Sequence, residues 1–387
     1  MSSTRAVRVG LVTVLAGLMI TSCVTGSTSA TASQVSAGTL HSCAVLSVGT
    51  VRCWGDNHGG DLGNPIVAVD GSSSIPVDVT GVTDATQVSA GDRHTCALLA
   101  GGTVKCWGSN GAGQLGNGRP FDSTAPVDVI GVTGATAISA SGLNTCALIA
   151  GGTAKCWGSN DYGQLGNGTT TSGSTAVDVI GITGITQIST GGDHTCALLA
   201  NGTVTCWGFN NFGQLGDGNS GYGLFSTTPV VVTGLTGATQ VTVGDGLYTC
   251  ALVASGGGRC WGRNDHGQLG NGTTSDSPTP VAVTGLSGAT HLALGYSHTC
   301  ATITGGTVEC WGANDHGTLG DGTATSSLTP VTVTGLSGAT QVTAGLDHTC
   351  ALLITGGLRC WGANWLGQVG DATNTYRYAP VGVAGFA

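Results

Sequence analysis

Apolar positions along this chain alternate with polar ones in short runs bounded by Gly, Asn and Pro, and the spacing never settles into a helical period. Residues 125–129, 136–139, 145–149 and 153–157 read as four successive strands of one unit. The same text returns seven times from Gln34 onward: an H-T-C-A-L-L-like run, a Gly turn, C-W-G, N-x-x-G-Q-L-G and P-V-x-V-x-G. Its phase is marked by Trp54, Trp107, Trp157, Trp207, Trp261, Trp311 and Trp361, which lie 50 to 54 residues apart. A long repeat of four short strands predicts an all-β ring, a seven-bladed β-propeller occupying residues 34–387 as one domain. The repeat text starts on a second strand at 34–36 and ends on an unmatched first strand at 380–383. The expectation is therefore a ring closed by the C-terminal strand, which completes the blade begun at the N-terminus.

Fourteen of the fifteen cysteines keep the same phase, and the sixth residue after the first Cys of each repeat is always Gly. A three-residue loop ending in a left-handed Gly, as in Ala200-Asn201-Gly202, pairs Leu199 with Thr203 and sets Cys196 opposite Cys206. A two-residue loop would oppose Cys196 to Trp207 and put the sulfurs on opposite faces. The repeated Gly favours the first register, and with it seven disulfides: Cys43–Cys53, Cys96–Cys106, Cys146–Cys156, Cys196–Cys206, Cys250–Cys260, Cys300–Cys310 and Cys350–Cys360. The alternatives are fourteen buried thiols packing as small apolar side chains, or a metal site. For zinc, an isolated facing pair has too few ligands.

The remaining cysteine, Cys23, follows Arg5, Arg8, an apolar run at 9–20 and the tetrapeptide Ile20-Thr21-Ser22-Cys23. That order reads as a lipoprotein-type signal peptide at 1–22, with Cys23 as the lipidated residue and 23–33 as a Ser/Thr/Ala-rich tether. The apolar run is too short to span a bilayer stably, so a membrane would be met only through the lipid. Cleavage by an ordinary signal peptidase near Ala30 or Ala32, and an apolar start without meaning, are the other readings. Both processing routes place the mature protein outside the cytoplasm, in the cell envelope or secreted.

Composition narrows the function. Net charge is −9, or −11 once Arg5 and Arg8 are removed; Lys105 and Lys155 are the only lysines and Glu309 the only glutamate. Nucleic acid is thereby excluded as an expected partner, because binding a phosphate backbone requires clustered cations. No phosphate-binding loop, nucleophile elbow or H-E-x-x-H motif occurs, so neither a cofactor nor catalysis is expected. His41, His94, His194, His298 and His348 precede a Cys by two, but Asn144 and Tyr248 fill the same slot, which argues for structural hydrogen bonding over a metal ring. The Asp-rich turn 315–321 lacks the spacing of a calcium loop and reads as turn capping.

The positions that vary between repeats carry the candidate site. Loop residues Phe209, Phe212, Tyr222 and Phe225 form one expected patch with Arg263 nearby; Trp365, Tyr376 and Tyr378 form a second with Arg377. Aromatic anchors beside Arg on one rim of a repeat ring fit a protein interface, while covering loop edges is the plainer use of the same residues.

The segments His94-Thr95-Cys96-Ala97-Leu98, 102–108 and 110–116 resemble the repeats of the regulator of chromosome condensation family, and all seven units match across about nine tenths of the chain. The Cys pairs look like an exported bacterial branch of it, and the chain is also similar to alpha-tubulin suppressor-like proteins. The resemblance implies the propeller. The family's eukaryotic founder exchanges nucleotide on a small nuclear GTPase and docks on chromatin; other members are protein-binding platforms, including a secreted bacterial inhibitor of β-lactamases. Exchange depends on loops outside these motifs, so no catalytic residue is carried over. The expected function is a monomeric, non-catalytic, extracytoplasmic module binding an unknown protein. GTPase exchange is the first alternative and a propeller hydrolase the second.

Overall fold

The computed structural model describes residues 31–69 and 71–386. Its strands form seven four-stranded antiparallel sheets, each made of four consecutive strands, here called a to d from the inside out. Blade 1 comprises Ala32–Ala37, His41–Leu46, Val51–Asp56 and Ser72–Asp78; blade 7 comprises Ala339–Ala344, His348–Leu353, Leu358–Gly362 and Arg377–Gly382. No helix occurs among the described residues. The calls on the signal segment and on Cys23 lie outside them.

The a strands surround a central channel, and their alternation explains the repeat text. Val35 and Ala37 are buried between blades, whereas Gln34 and Ser36 line the channel. Gln34 donates to the Val88 carbonyl at 3.0 Å and accepts from the Val88 amide at 2.9 Å, so its side chain acts as a strand neighbour for the next blade. Gln87 clamps Ile138 in the same way, and Gln240 clamps Leu292. Ala137 and His291 stand in this ring position in blades 3 and 6, and the His291 Nδ1 is buried without a partner.

Between neighbouring blades the tryptophans are fully buried, and each indole reaches back to a carbonyl of the preceding c–d loop. Trp107 Nε1 donates to Asp61 O at 2.9 Å and Trp157 Nε1 to Gln114 O at 2.8 Å. The closing Gly of the G-Q-L-G text lies against that indole: a Cβ on Gly116, whose φ is +63°, would come within 2.9 Å of Trp157 and 2.8 Å of Val129. The same carbonyl accepts from a buried threonine, which in turn accepts from a histidine one blade back. Thr95 Oγ1 donates to Asp61 O at 3.0 Å, and His41 Nε2 donates to Thr95 Oγ1 at 2.8 Å. These histidines are therefore neutral inter-blade connectors, as the Asn144 and Tyr248 substitutions imply. Tyr248 does the same work through its hydroxyl, which donates to His298 O at 2.6 Å.

All seven cysteine pairs face in register and are bonded. Cys196 stands opposite Cys206, the Leu199 amide donates to Thr203 O at 2.8 Å, and Gly202 is left-handed at φ +78°, the three-residue loop expected.

Two expectations are corrected. Residues 125–129 belong to Ser123–Asp128, which pairs with Val104–Gly108 as the outermost strand of the preceding blade, not as the first strand of the next. The C-terminal strand Arg377–Gly382 likewise pairs with Leu358–Gly362 of its own blade and does not complete the first. The ring closes side by side instead. Trp54 Nε1 donates to Gln368 O at 2.9 Å, His348 Nε2 lies 2.8 Å from Ser42 Oγ, the Ala32 amide donates to Gly356 O at 2.9 Å, and Phe386 packs 6.1 Å from Trp54.

Candidate functional site

Antiparallel order sends the a–b turns and c–d loops to one rim and the b–c turns to the other. The c–d rim holds the sequence candidates, in a different grouping. Phe209, at the end of a c strand, packs 4.6 Å from Tyr162 of the preceding blade, and Phe225 lies 6.5 Å from Tyr162. Tyr222 of the same loop is fully exposed and touches no aromatic ring. Phe212 belongs elsewhere: the Arg263 guanidinium sits 5.8 Å from its ring and 5.8 Å from that of Tyr296. Further round the rim, Trp365 and Tyr376 stack edgewise on each other at 5.8 Å and on His316 at 5.5 and 5.2 Å. Tyr378 stands apart, its backbone close to Gly317.

Between these groups lies a cleft of about 220 Å³ lined by His266, Tyr296, Ser297, Ala313, Asp315, His316, Thr318 and Asp347. His316 Nδ1 is 3.4 Å from Asp347 Oδ2. Burial holds the Asp347 carboxyl above its usual range, against the pull of His316. The arc thus runs from blade 3 to blade 7. Tyr296 and Asp347 were missed because they sit in a–b turns that look like constant text; Tyr162 and His316 were visible only as variable loop positions.

Charge is unevenly divided. Fourteen aspartates among the described residues lie in a–b turns, c–d loops or the strand ends beside them, against four arginines, Arg93, Arg119, Arg263 and Arg377. Arg377 is committed to Asp371 at 2.5 Å and Arg263 to Asp265 at 2.5 Å, so the rim is net acidic with two of its four arginines paired. Among the described residues no group of three or more His, Cys, Asp or Glu is placed to hold a metal. Asp321 accepts from Asn314 Nδ2 and the Thr323 amide, which is turn capping. At the channel mouth Asp245, on an a–b turn one residue longer than its counterparts, accepts from Ser141 two blades away. Burial pushes its carboxyl up to about 6 despite that bond.

Blade 1 breaks the pattern at Asp61, where five other blades have Gln. Gln114 accepts from the Ala112 amide at 2.9 Å; the shorter Asp leaves both carboxyl oxygens buried without a partner. Burial, helped by Asp56, pushes its pKa to about 9. A raised carboxyl pKa means the folded protein holds a proton that the unfolded chain releases, so stability falls as pH rises from about 4 to about 9. Asp61→Gln should therefore raise stability at pH 7 by roughly 2–4 kcal/mol, and by little at pH 4. Urea melts at the two pH values check this, and an equal effect at both defeats the assignment.

A family profile described as RCC1-like domain matches residues 19–287, and profiles of the regulator of chromosome condensation (RCC1) repeat match 306–352 and 339–368. The regulator of chromosome condensation of Mus musculus is 41% identical over 76 residues, 20% of this chain and 18% of that protein. The E3 ubiquitin-protein ligase HERC2 of Homo sapiens is 48% identical over 61 residues, 15% of this chain and 1% of that protein. The matched stretch is thus under a fifth of these relatives' own length. Among solved structures, yeast RCC1 (Prp20) in its complex with Kap60 superposes with a TM-score of 0.75 at 19% identity, covering 99% of this chain and 91% of that one. Human WBSCR16 gives 0.74 at 23% identity, covering 83% and 87%. At these identities the superpositions establish the fold alone.

Proposed function

Because this chain belongs to the RCC1-like domain family, a propeller family of repeats, we propose that it is a non-enzymatic binding platform whose c–d rim docks a basic protein surface. The observation that carries this reading is the arc of half-exposed aromatic side chains embedded in an excess of aspartate on that one rim. Aromatic faces and carboxylates together receive Arg and Lys side chains, by cation–π contact and charge-assisted hydrogen bonds. Seven disulfides support action in an oxidising compartment, and the Arg5-to-Cys23 segment supports an envelope protein anchored by lipid at Cys23.

The test is capture of envelope or extracellular proteins of the host by wild type and by a Tyr162→Ser, Phe209→Ser, Asp347→Asn variant with unchanged melting. The principal partner should bind the variant at least about thirtyfold more weakly and should elute from wild type with salt. Equal retention by both proteins defeats this rim. GTPase exchange has one supporting observation, the likeness to Prp20, which has been studied for binding to Gsp1p and histones. It would show instead as faster release of labelled GDP from a small GTPase.

A further inference from the structure

The opposite rim has its own signature. Of the seven hairpin tips between strands b and c, only two carry a bulky aliphatic residue at their first two positions: Val48 in blade 1 and Ile354 in blade 7. The corresponding residues elsewhere are Ala, Gly, Asn, Ser or Thr. Val48 is 73% exposed and Ile354 80%. These two tips flank the point where the chain enters the ring. The Ser47 amide donates to Thr31 O at 2.9 Å, and the Ala32 amide donates to Gly356 O at 2.9 Å.

Charge on this side is balanced, unlike that on the c–d rim: five cations stand against Asp78, Asp84, Asp128, Asp178 and Glu309 among the described residues. Arg52, Lys105, Lys155, Arg259 and Arg359 all occupy one blade position, three residues after the Gly of the b–c turn, where blades 4 and 6 have Thr205 and Glu309. These cations stand just behind the tips, with Arg52, Lys105 and Lys155 paired to Asp78, Asp128 and Asp178.

We propose that the b–c rim rests on a membrane surface, with Val48 and Ile354 entering the headgroup layer and the acidic aromatic rim turned away from it. This rests on the reading of Cys23 as the anchored residue. Seven residues lie between Cys23 and Thr31, which makes eight Cα-to-Cα steps. Eight such steps reach at most about 28 Å, which keeps this rim the one nearest the bilayer. Residues 24–30 are Val-Thr-Gly-Ser-Thr-Ser-Ala, too polar to cover two exposed aliphatic tips themselves. Anionic headgroups repel the aspartates of the far rim and meet no net charge on this one, so electrostatics and the tether select the same orientation.

The experiment is hydrogen exchange on the full chain from its host, in vesicles of phosphatidylethanolamine and phosphatidylglycerol and in detergent micelles, with the mass of the N-terminal peptide read in the same run. Amides at 47–50 and 353–357 should exchange at least about tenfold more slowly on vesicles, and a Val48→Asp, Ile354→Asp variant should lose that difference with its melting unchanged. Protection of the c–d loops instead, or the same exchange in both media, overturns the orientation. The peptide mass reports the anchor separately: an unacylated chain that still shows the vesicle protection supports the rim contact and removes the anchor. Protection of both turns in micelles and vesicles alike, in a chain that retains residues 9–20, assigns the patch to that segment and overturns the proposal.

Discussion

Acidification to pH 4 should unfold this protein, although nothing in its disulfides or its backbone ladder titrates there. Burial pushes His41 and His298 down to about 4 and His94, His194 and His348 down to about 3. Each is neutral in the ring because burial disfavours the charged form, and its Nε2–H is donated across a blade boundary. In His41, His94, His194 and His348 the buried Nδ1 has no partner to receive a proton. The unfolded chain takes up protons near pH 6.5, where the folded one refuses them, so the stability these residues contribute is present above that value and is lost as pH falls toward 4. One such group costs about 3 kcal/mol at pH 4, and five together about 15 kcal/mol, the upper end of the 5–15 kcal/mol of a typical domain. Asp61 works the other way, as do Asp193, Asp245 and Asp347, whose carboxyls burial also raises, and they offset part of that loss. Tryptophan fluorescence followed from pH 7 to pH 4 should show one cooperative transition between about pH 6 and pH 4. Native emission persisting at pH 4 would mean the histidines find a charge partner that this geometry does not contain.

Complete reduction should lower the melting temperature by tens of degrees. Each disulfide closes a loop with a sequence separation of 10, which in the chain-entropy model is worth about 2–3 kcal/mol, and the bonds sit one to a blade rather than all in one place. The cysteines are fully buried between a tryptophan and the next blade, so reductant will reach them only as blades open, and the loss should be slow without denaturant. Replacing one pair, Cys196→Ala with Cys206→Ala, should cost about 2–3 kcal/mol and leave the fold. Melting of the fully reduced protein within a few degrees of the oxidised form would show that the ring holds by packing alone.

Much of this was legible in the repeat text. The invariant Gly six residues after each first Cys determines the hairpin register, and through it which cysteines face. The tryptophans, the G-Q-L-G loop and the histidine slot announced themselves as architecture by recurring, and the blade boundaries show why: each joins one unit to the next. The blade boundary itself was not legible. The connection between strands d and a, 79–84 in blade 1, is short enough to look like a hairpin, while the c–d loop from Asp56 to Ser72 is long enough to look like a linker. Length pointed one way and hydrogen bonding goes the other, because the long loop folds back on itself around Asn57, whose Oδ1 accepts from the Leu62 amide at 3.0 Å. The binding arc was half legible. Large aromatics in variable loops could be seen, but their grouping depends on which loops of neighbouring blades lie side by side, and the commitment of Arg377 to Asp371 depends on a fold of the loop that no local pattern encodes.

The junction between the last blade and the first has a consequence for how the chain can be cut. Val383, Ala384, Gly385 and Phe386 trace the path that Val79, Thr80, Gly81 and Val82 trace between blades 1 and 2. The Ala384 amide donates to Gly370 O as the Thr80 amide donates to Gly63 O, and the Ala32 amide donates to Gly356 O as the Ala85 amide donates to Gly49 O. The break in the polymer thus falls inside an ordinary connector, with these backbone hydrogen bonds of that connector still made. Circular permutation should therefore be nearly silent at any of the other six junctions, since no sheet borrows a strand from its neighbour. Permutants opened there would move the chain entry, and any anchor attached to it, one blade at a time around an unchanged ring.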